Sequence, residues 1–148
     1  MMIMQVDKIE IGTVVDHIAA GKAAKILKLL RIGEDYGHRV AIMMNVPSKR
    51  MKTKDIVKIE GKLVSQEEAN VIALICPGAT INVIKDGKVQ KKFVAGLPAE
   101  VTNYARCANP NCITNAENTA RRFVRDGQGF RCRHCERLFK ADELVQGI

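Results

Sequence analysis

The chain contains no tryptophan and only four phenylalanines and two tyrosines among its 148 residues. Its core must therefore be built from aliphatic side chains. No uninterrupted apolar stretch approaches the ~18 residues that a membrane span requires. Met1 to Gln5 lack the charged, apolar and cleavage regions of a signal peptide, so a cytoplasmic location with no membrane partner is the expectation. Neither a Gly-rich phosphate loop nor a Ser or Cys nucleophile signature is present. These absences argue against the common ATPase and covalent-hydrolase classes and leave no evident catalytic residue.

A hydrophobic content of 47% with 27% charged residues is that of a soluble globular protein. The formal charge of +8 raises the question of nucleic acid. The excess is spread, with 16 basic against 11 acidic residues in 1–100 and 8 against 5 in 101–148. The densest run, Lys49, Arg50, Lys52, Lys54, Lys58 and Lys62, reads most simply as a solvated loop and strand face.

Two segments carry a helical period. From about Ala20 to Ile32, Ala23, Ile26, Leu27 and Leu30 share a face. Ser65-Gln66-Glu67-Glu68 is a capping-box sequence, after which Ala69, Ile72, Ala73 and Cys76 form one stripe until Pro77-Gly78 ends it. Strand-like runs occupy Gln5 to Ile11, Thr13 to Ile18, Arg39 to Val46, Asp55 to Glu60, Thr80 to Ile84 and Lys88 to Val94. Asp86-Gly87 joins the last two as a tight hairpin. Strand, helix, two strands, helix, strand, with an extra strand at each end, is the split βαβ, ferredoxin-like order. It gives an α+β fold with an antiparallel sheet and two helices on one face. The periodicity lapses through Gly96-Leu97-Pro98, so we divide the chain into residues 1–98 and 99–148.

The second unit contains Cys107-x4-Cys112 and Cys132-x2-Cys135. Two chelating pairs about twenty residues apart supply four thiolates for one tetrahedral ion, which leaves no open coordination position and points to a single structural Zn2+. Two disulfides, or four incidental cysteines, are the alternatives that this spacing and a reducing compartment disfavour. Arg106, Arg131, Arg133 and Arg137 lie beside the ligands in sequence and are expected to offset thiolate charge. His134 sits inside the two-residue spacer as a bystander. Short strands are expected at Phe123-Val124 and Phe130 to Cys132. Asp16-His17 is the one carboxylate–imidazole pair close in sequence, and on a regular strand its two side chains point to opposite faces.

Gly12-Thr13-Val14-Val15-Asp16-His17-Ile18 resembles the opening motif of the regulatory chain of aspartate carbamoyltransferase. Further stretches agree in order and spacing: Asn45 to Ser48, Lys54 to Glu60, Pro77 to Ile84, Cys107-x4-Cys112-Ile113 and Cys132-x2-Cys135-Glu136. The resemblance covers essentially the whole chain. It implies a non-catalytic subunit acting in allosteric control of pyrimidine biosynthesis. Residues 1–98 would bind the nucleotide effectors CTP and ATP, with UTP a further candidate, and residues 99–148 would be a zinc domain that docks on the catalytic chain. Regulatory chains would pair as homodimers.

Carried over residue by residue, the resemblance assigns the effector site to Val6, Asp7, Ile9, Asp16, His17, Lys54, Lys58, Asn82, Ile84, Val89 and Lys92. Lys58 and Lys92, with Lys54 nearby, would meet the phosphates. Asp16 would take the ribose hydroxyls, and Asn82 with the backbone of Val6 to Ile9 would read the base edge. Ile9, Ile84 and Val89 would sandwich the base, although pattern alone reads these three as sheet core. The rival reading is a nucleic-acid-binding zinc ribbon. It lacks the stacking aromatics that such sheets need, since neither Arg39 to Val46 nor Thr80 to Ile84 carries one.

Overall fold

The structure, a computed structural model, describes residues 9–102, 104–117 and 119–146. Val6 and Asp7 lie outside the described residues, as does most of the strand expected from Gln5. Residues 9–11 form no strand.

Five strands make the first sheet: β1 (Gly12–Ala19), β2 (Val40–Ser48), β3 (Lys52–Glu60), β4 (Thr80–Lys85) and β5 (Lys88–Val94). Their order is β2-β3-β1-β4-β5, every neighbouring pair antiparallel. Helices α1 (Ala23–Leu29) and α2 (Gln66–Ile75) connect β1 to β2 and β3 to β4, as the ferredoxin-like order requires. Val15, Val57, Ile59, Ile81 and Val83 alternate to the core face and are buried with Ile26, Leu27, Ala69 and Ile72 of the helices. That alternation buries one face of the sheet. On the other face, Val14, Lys58, Asn82 and Ile84 are only half-buried.

The local signals explain the element ends. Ser65 Oγ accepts the Glu68 N–H at 3.1 Å while Glu68 Oε1 accepts the Ser65 N–H at 3.1 Å, which closes the capping box of α2. Cys76 caps the other end of that helix and is buried, as its place on the stripe predicts. Asp86 and Gly87 have φ of 52° and 73°, the pair of positive values that a primed hairpin turn needs. Helix α1 is shorter than its periodicity predicts. The turn at Ala20-Gly21 delays its start, and Arg31, at φ 60°, turns the chain away soon after its end.

The second sheet has the order β6-β7-β8-β9, formed by β6 (Glu100–Val101), β7 (Phe123–Asp126), β8 (Gly129–Cys132) and β9 (Leu138–Lys140). Strands β7 and β8 are the two expected from sequence. A one-turn helix α3 (Ile113–Ala116) and a 3₁₀ turn (Ala141–Val145) complete this part. Phe123, Phe130, Leu144 and Val145 are fully buried. The 3₁₀ turn touches α2, so the two sheets share one continuous apolar cluster.

Candidate metal centre and open sheet face

Four sulfurs meet in the second sheet's half. Cys107 precedes the Asn109 turn, Cys112 is the N-cap of α3, Cys132 ends β8, and Cys135 lies in the turn before β9. Their Sγ atoms all lie within 4.8 Å of one another. Cys107 to Cys135 is 3.6 Å and Cys112 to Cys132 is 3.8 Å. Four thiolates at ~2.3 Å from one central ion lie ~3.8 Å apart along the tetrahedron's edges. The donor set and its spacing therefore fit a closed tetrahedral metal site.

Local backbone bonds hold these ligands. The Cys112 N–H donates to Asn109 O at 3.0 Å, and the Asn115 amide donates to Cys107 O at 2.9 Å and Asn109 O at 2.8 Å. The His134 N–H points at Cys132 Sγ from 3.4 Å, while its ring bonds Ala120 O at 2.8 Å, so His134 is a bystander. Burial pushes all four thiols up, and Cys107 and Cys132 stay raised. Cys112 nevertheless falls to about 6. The Thr114 hydroxyl and N–H, with the neighbouring Cys132 and Cys107 thiols, hydrogen-bond to its sulfur. Cys135 is lowered against burial by the Arg137 N–H, Asn109 and the same neighbouring sulfurs. Peptide and hydroxyl donors thus account for the lowering of Cys112 and Cys135. Arg131 is committed to Asp126 at 2.9 Å and to Glu136 O at 2.7 Å.

The open face of the first sheet is ordered from an apolar end to a charged one. At the apolar end Gly12 stands opposite Ile84, and Ile84 opposite Val89. Ile9 Cγ2 lies 2.8 Å from where a Cβ on Gly12 would be, so Ile9 packs onto the same spot. The middle row runs Lys58, Val14, Asn82 and Lys92 across β3, β1, β4 and β5. Directly opposed residues share a face. Lys58 and Lys92 are thus three strand spacings apart, roughly 14 Å at the backbone.

At the charged end Asp16 stands opposite Thr80. Lys54 Nζ lies 3.0 Å from Asp16 Oδ1, and His17 Nδ1 lies 3.0 Å from Thr80 Oγ1. The regular-strand expectation for Asp16 and His17 is wrong. A bulge between Val15 and Ile18 puts His17 at φ 57°, its N–H bonds the Asp16 carboxylate, and its ring comes within 3.9 Å of that group. The structure thus brings Ile9, Asp16, His17, Lys54, Lys58, Asn82, Ile84, Val89 and Lys92 to one face. Val6 and Asp7 are not described.

Sequence reasoning missed Thr80, the partner of His17, and Asp55. Asp55 is fully buried in β3 and accepts the N–H groups of Gly21 at 3.0 Å, Ala23 at 3.3 Å and Asn45 at 3.1 Å. A carboxylate at a position that alternation assigns to the core was the available signal.

Comparison with known proteins follows the same division. The family described as "Aspartate carbamoyltransferase regulatory chain, allosteric domain" matches residues 4–95, and "Aspartate carbamoyltransferase regulatory chain, metal binding domain" matches residues 99–145. Curated proteins with the name "Aspartate carbamoyltransferase regulatory chain" are similar over nearly the full length. That of Pyrococcus abyssi is 44% identical over 98% of both chains, and that of Thermococcus kodakarensis 43% over 98% of this chain and 97% of its own. That of Methanococcus maripaludis is 46% identical over 93% of this chain and 94% of its own.

Proposed function

The chain belongs to the aspartate carbamoyltransferase regulatory-chain family, as a non-catalytic chain with an allosteric and a metal-binding domain, and from that premise we propose that it senses nucleoside triphosphates on the open sheet face. CTP and ATP, with UTP as a further effector, would compete there. The observation that carries this reading is the polarity of that face. An apolar corner of Ile9, Ile84 and Val89 suits a base, Asn82 in the next row suits its edge or sugar, and Lys58, Lys92 and Lys54 supply cationic charge for phosphates without a P-loop.

The remaining assignments extend the same reading. We divide the chain at residues 98 and 99. The metal is one Zn2+ per chain on Cys107, Cys112, Cys132 and Cys135, supported by an all-sulfur donor set and sulfur separations of 3.6 and 3.8 Å. The zinc domain docks on a catalytic chain, for which exposed Ile113 and Leu138 beside the cluster offer apolar contact. Among the described residues strand β2 leaves one edge of the first sheet unpaired, and it carries exposed Ile42 and Met44, features suited to homodimer formation by strand addition. Among the described residues no helix is long and apolar enough to cross a membrane, and we place the protein in the cytoplasm with its enzyme.

Calorimetric titration of the metal-loaded chain with CTP and ATP, beside single-stranded and duplex oligonucleotides at physiological salt, tests the proposal. Saturable triphosphate binding that Lys92→Ala weakens about tenfold or more is the expected result. Tight oligonucleotide binding with no triphosphate site would overturn it.

A further inference from the structure

We propose that the cleft between the two halves of the chain is a second ligand site, built for a small polyphosphate-type oxyanion. The cleft measures about 570 Å³ and is lined from the first half by Arg31, Lys62 and Glu68 and from the second by Tyr104, Thr119 and Arg121. That volume suits a small molecule. It lies away from the open face of the first sheet and uses none of the residues assigned to the effector.

The charges in the cleft are unbalanced. Glu68 is its one carboxylate, and it is already committed: Oε2 lies 2.9 Å from Lys62 Nζ and Oε1 accepts the Ser65 N–H. Arg31 and Arg121 have no carboxylate partner among the described residues. Arg121 Nη2 donates to Thr114 O at 3.3 Å, and its Nε is buried without an acceptor among the described residues. The cation is thus only partly satisfied, and its remaining donors on the cleft are open to an anion. The backbone adds one sign. Tyr104 sits at φ of 69°, a left-handed conformation costly for a side chain of this size. Arg31, at φ 60°, is the left-handed residue that ends α1, where the Ile32 N–H bonds Leu27 O and the Arg31 N–H bonds Lys28 O.

The ligand class follows from the donors. Two guanidinium groups, one from each half, with Tyr104 and Thr119 also lining the cleft, match an anion that presents several oxygens in more than one direction. A diphosphate does so, whereas a planar carboxylate faces one way. Because its walls come from both halves, a bound anion would tie the two halves together and stabilise both.

Full-length metal-loaded protein, without nucleotide, is titrated calorimetrically at low salt with inorganic pyrophosphate, inorganic phosphate and succinate. The proposal expects one saturable pyrophosphate site, at least tenfold weaker in Arg31→Gln and in Arg121→Gln, and unchanged in Lys92→Ala. Arg31 is exposed, so Arg31→Gln serves even where Arg121→Gln disturbs folding. Absence of saturable pyrophosphate binding overturns the proposal, as does a loss confined to Lys92→Ala, which would put the anion on the open sheet face. Succinate binding tighter than pyrophosphate overturns the ligand class. The CTP titration is a separate experiment, so the two sites can fail independently.

Discussion

Removing the Asp55 carboxylate should be among the most damaging single changes outside the metal centre, and its cost can be worked from the bonds it makes. Oδ2 accepts from Gly21 and Ala23 at the entry to α1, and Oδ1 accepts from Asn45 at the bulge in β2. Hydrogen bonds to charged groups are worth about 1.5–3 kcal/mol each, and an orphaned buried donor costs about 1–3 kcal/mol. The Ala23 donor is buried, while those of Gly21 and Asn45 are partly so and can be hydrated. Asp55→Ala should therefore lose about 3–5 kcal/mol. Asp55→Asn keeps one acceptor oxygen for α1 but turns an NH₂ toward the Asn45 N–H, and should lose about 1.5–3 kcal/mol. Urea denaturation of the metal-loaded chain followed by far-UV circular dichroism measures both. A loss below about 1 kcal/mol for Asp55→Ala, or no difference between the variants, would refute the claim that this carboxylate fixes the two segments.

Cys112→Ala leaves three thiolates and removes a ligand that the Thr114 hydroxyl holds; it should release the metal, unfold residues 99–146 and abolish association with the catalytic chain, readable by metal analysis and co-elution. Gly12→Ala places a methyl 2.2 Å from Ile59 O and 2.8 Å from Ile9 Cγ2, so it should cost about 1–3 kcal/mol of stability and weaken CTP binding together, in parallel melts and titrations. Burial raises the Cys76 thiol above its ordinary value of 9.0. The folded state therefore holds its proton longer than the unfolded state, and Cys76 contributes stability that is complete below pH 9 and lost as pH rises toward the folded value. Denaturation midpoints of wild type and Cys76→Ala compared from pH 8 to 10.5 should draw together at the alkaline end; a constant gap would refute this assignment.

What could be read from sequence was what neighbouring residues decide. The capping box at Ser65 and Glu68, the Asp86-Gly87 turn and the paired cysteines each announce themselves within a few residues. The residues we propose for the effector needed the family pattern, because Ile84 and Val89 look the same whether they face a base or a core. The bulges at His17 and Asn45 were not legible for a different reason. Each breaks strand alternation, and Asp55, which bonds Asn45 and stands opposite Ile18 beside the first bulge, is distant in sequence from both. Alternation assigned Asp16 and His17 to opposite faces, and tertiary bonding overrode it. The 3₁₀ turn at Ala141–Val145 was missed because its buried pair, Leu144 and Val145, has too short a span to show a period.

The positions of the open sheet face and the metal centre restrict how one can act on the other. The face is formed by β1, β3, β4 and β5, whose reverse sides pack on α1 and α2, while the cysteines belong to the second sheet. Helix α2 is the element that packs on the first sheet and also touches the 3₁₀ turn, where Leu144 and Val145 are fully buried and Leu144 O accepts the Arg106 N–H at 2.8 Å, next to Cys107. Packed interiors resist compression, so a shift of β1 or β4 on ligand binding at the proposed site would be passed to α2 as a movement of a rigid, capped helix. That movement has an effect on assembly only if the effector prefers one arrangement of α2 against the turn, which is the differential affinity that allostery requires. The coupling is then set less by how tightly an effector binds than by how differently it binds the two arrangements.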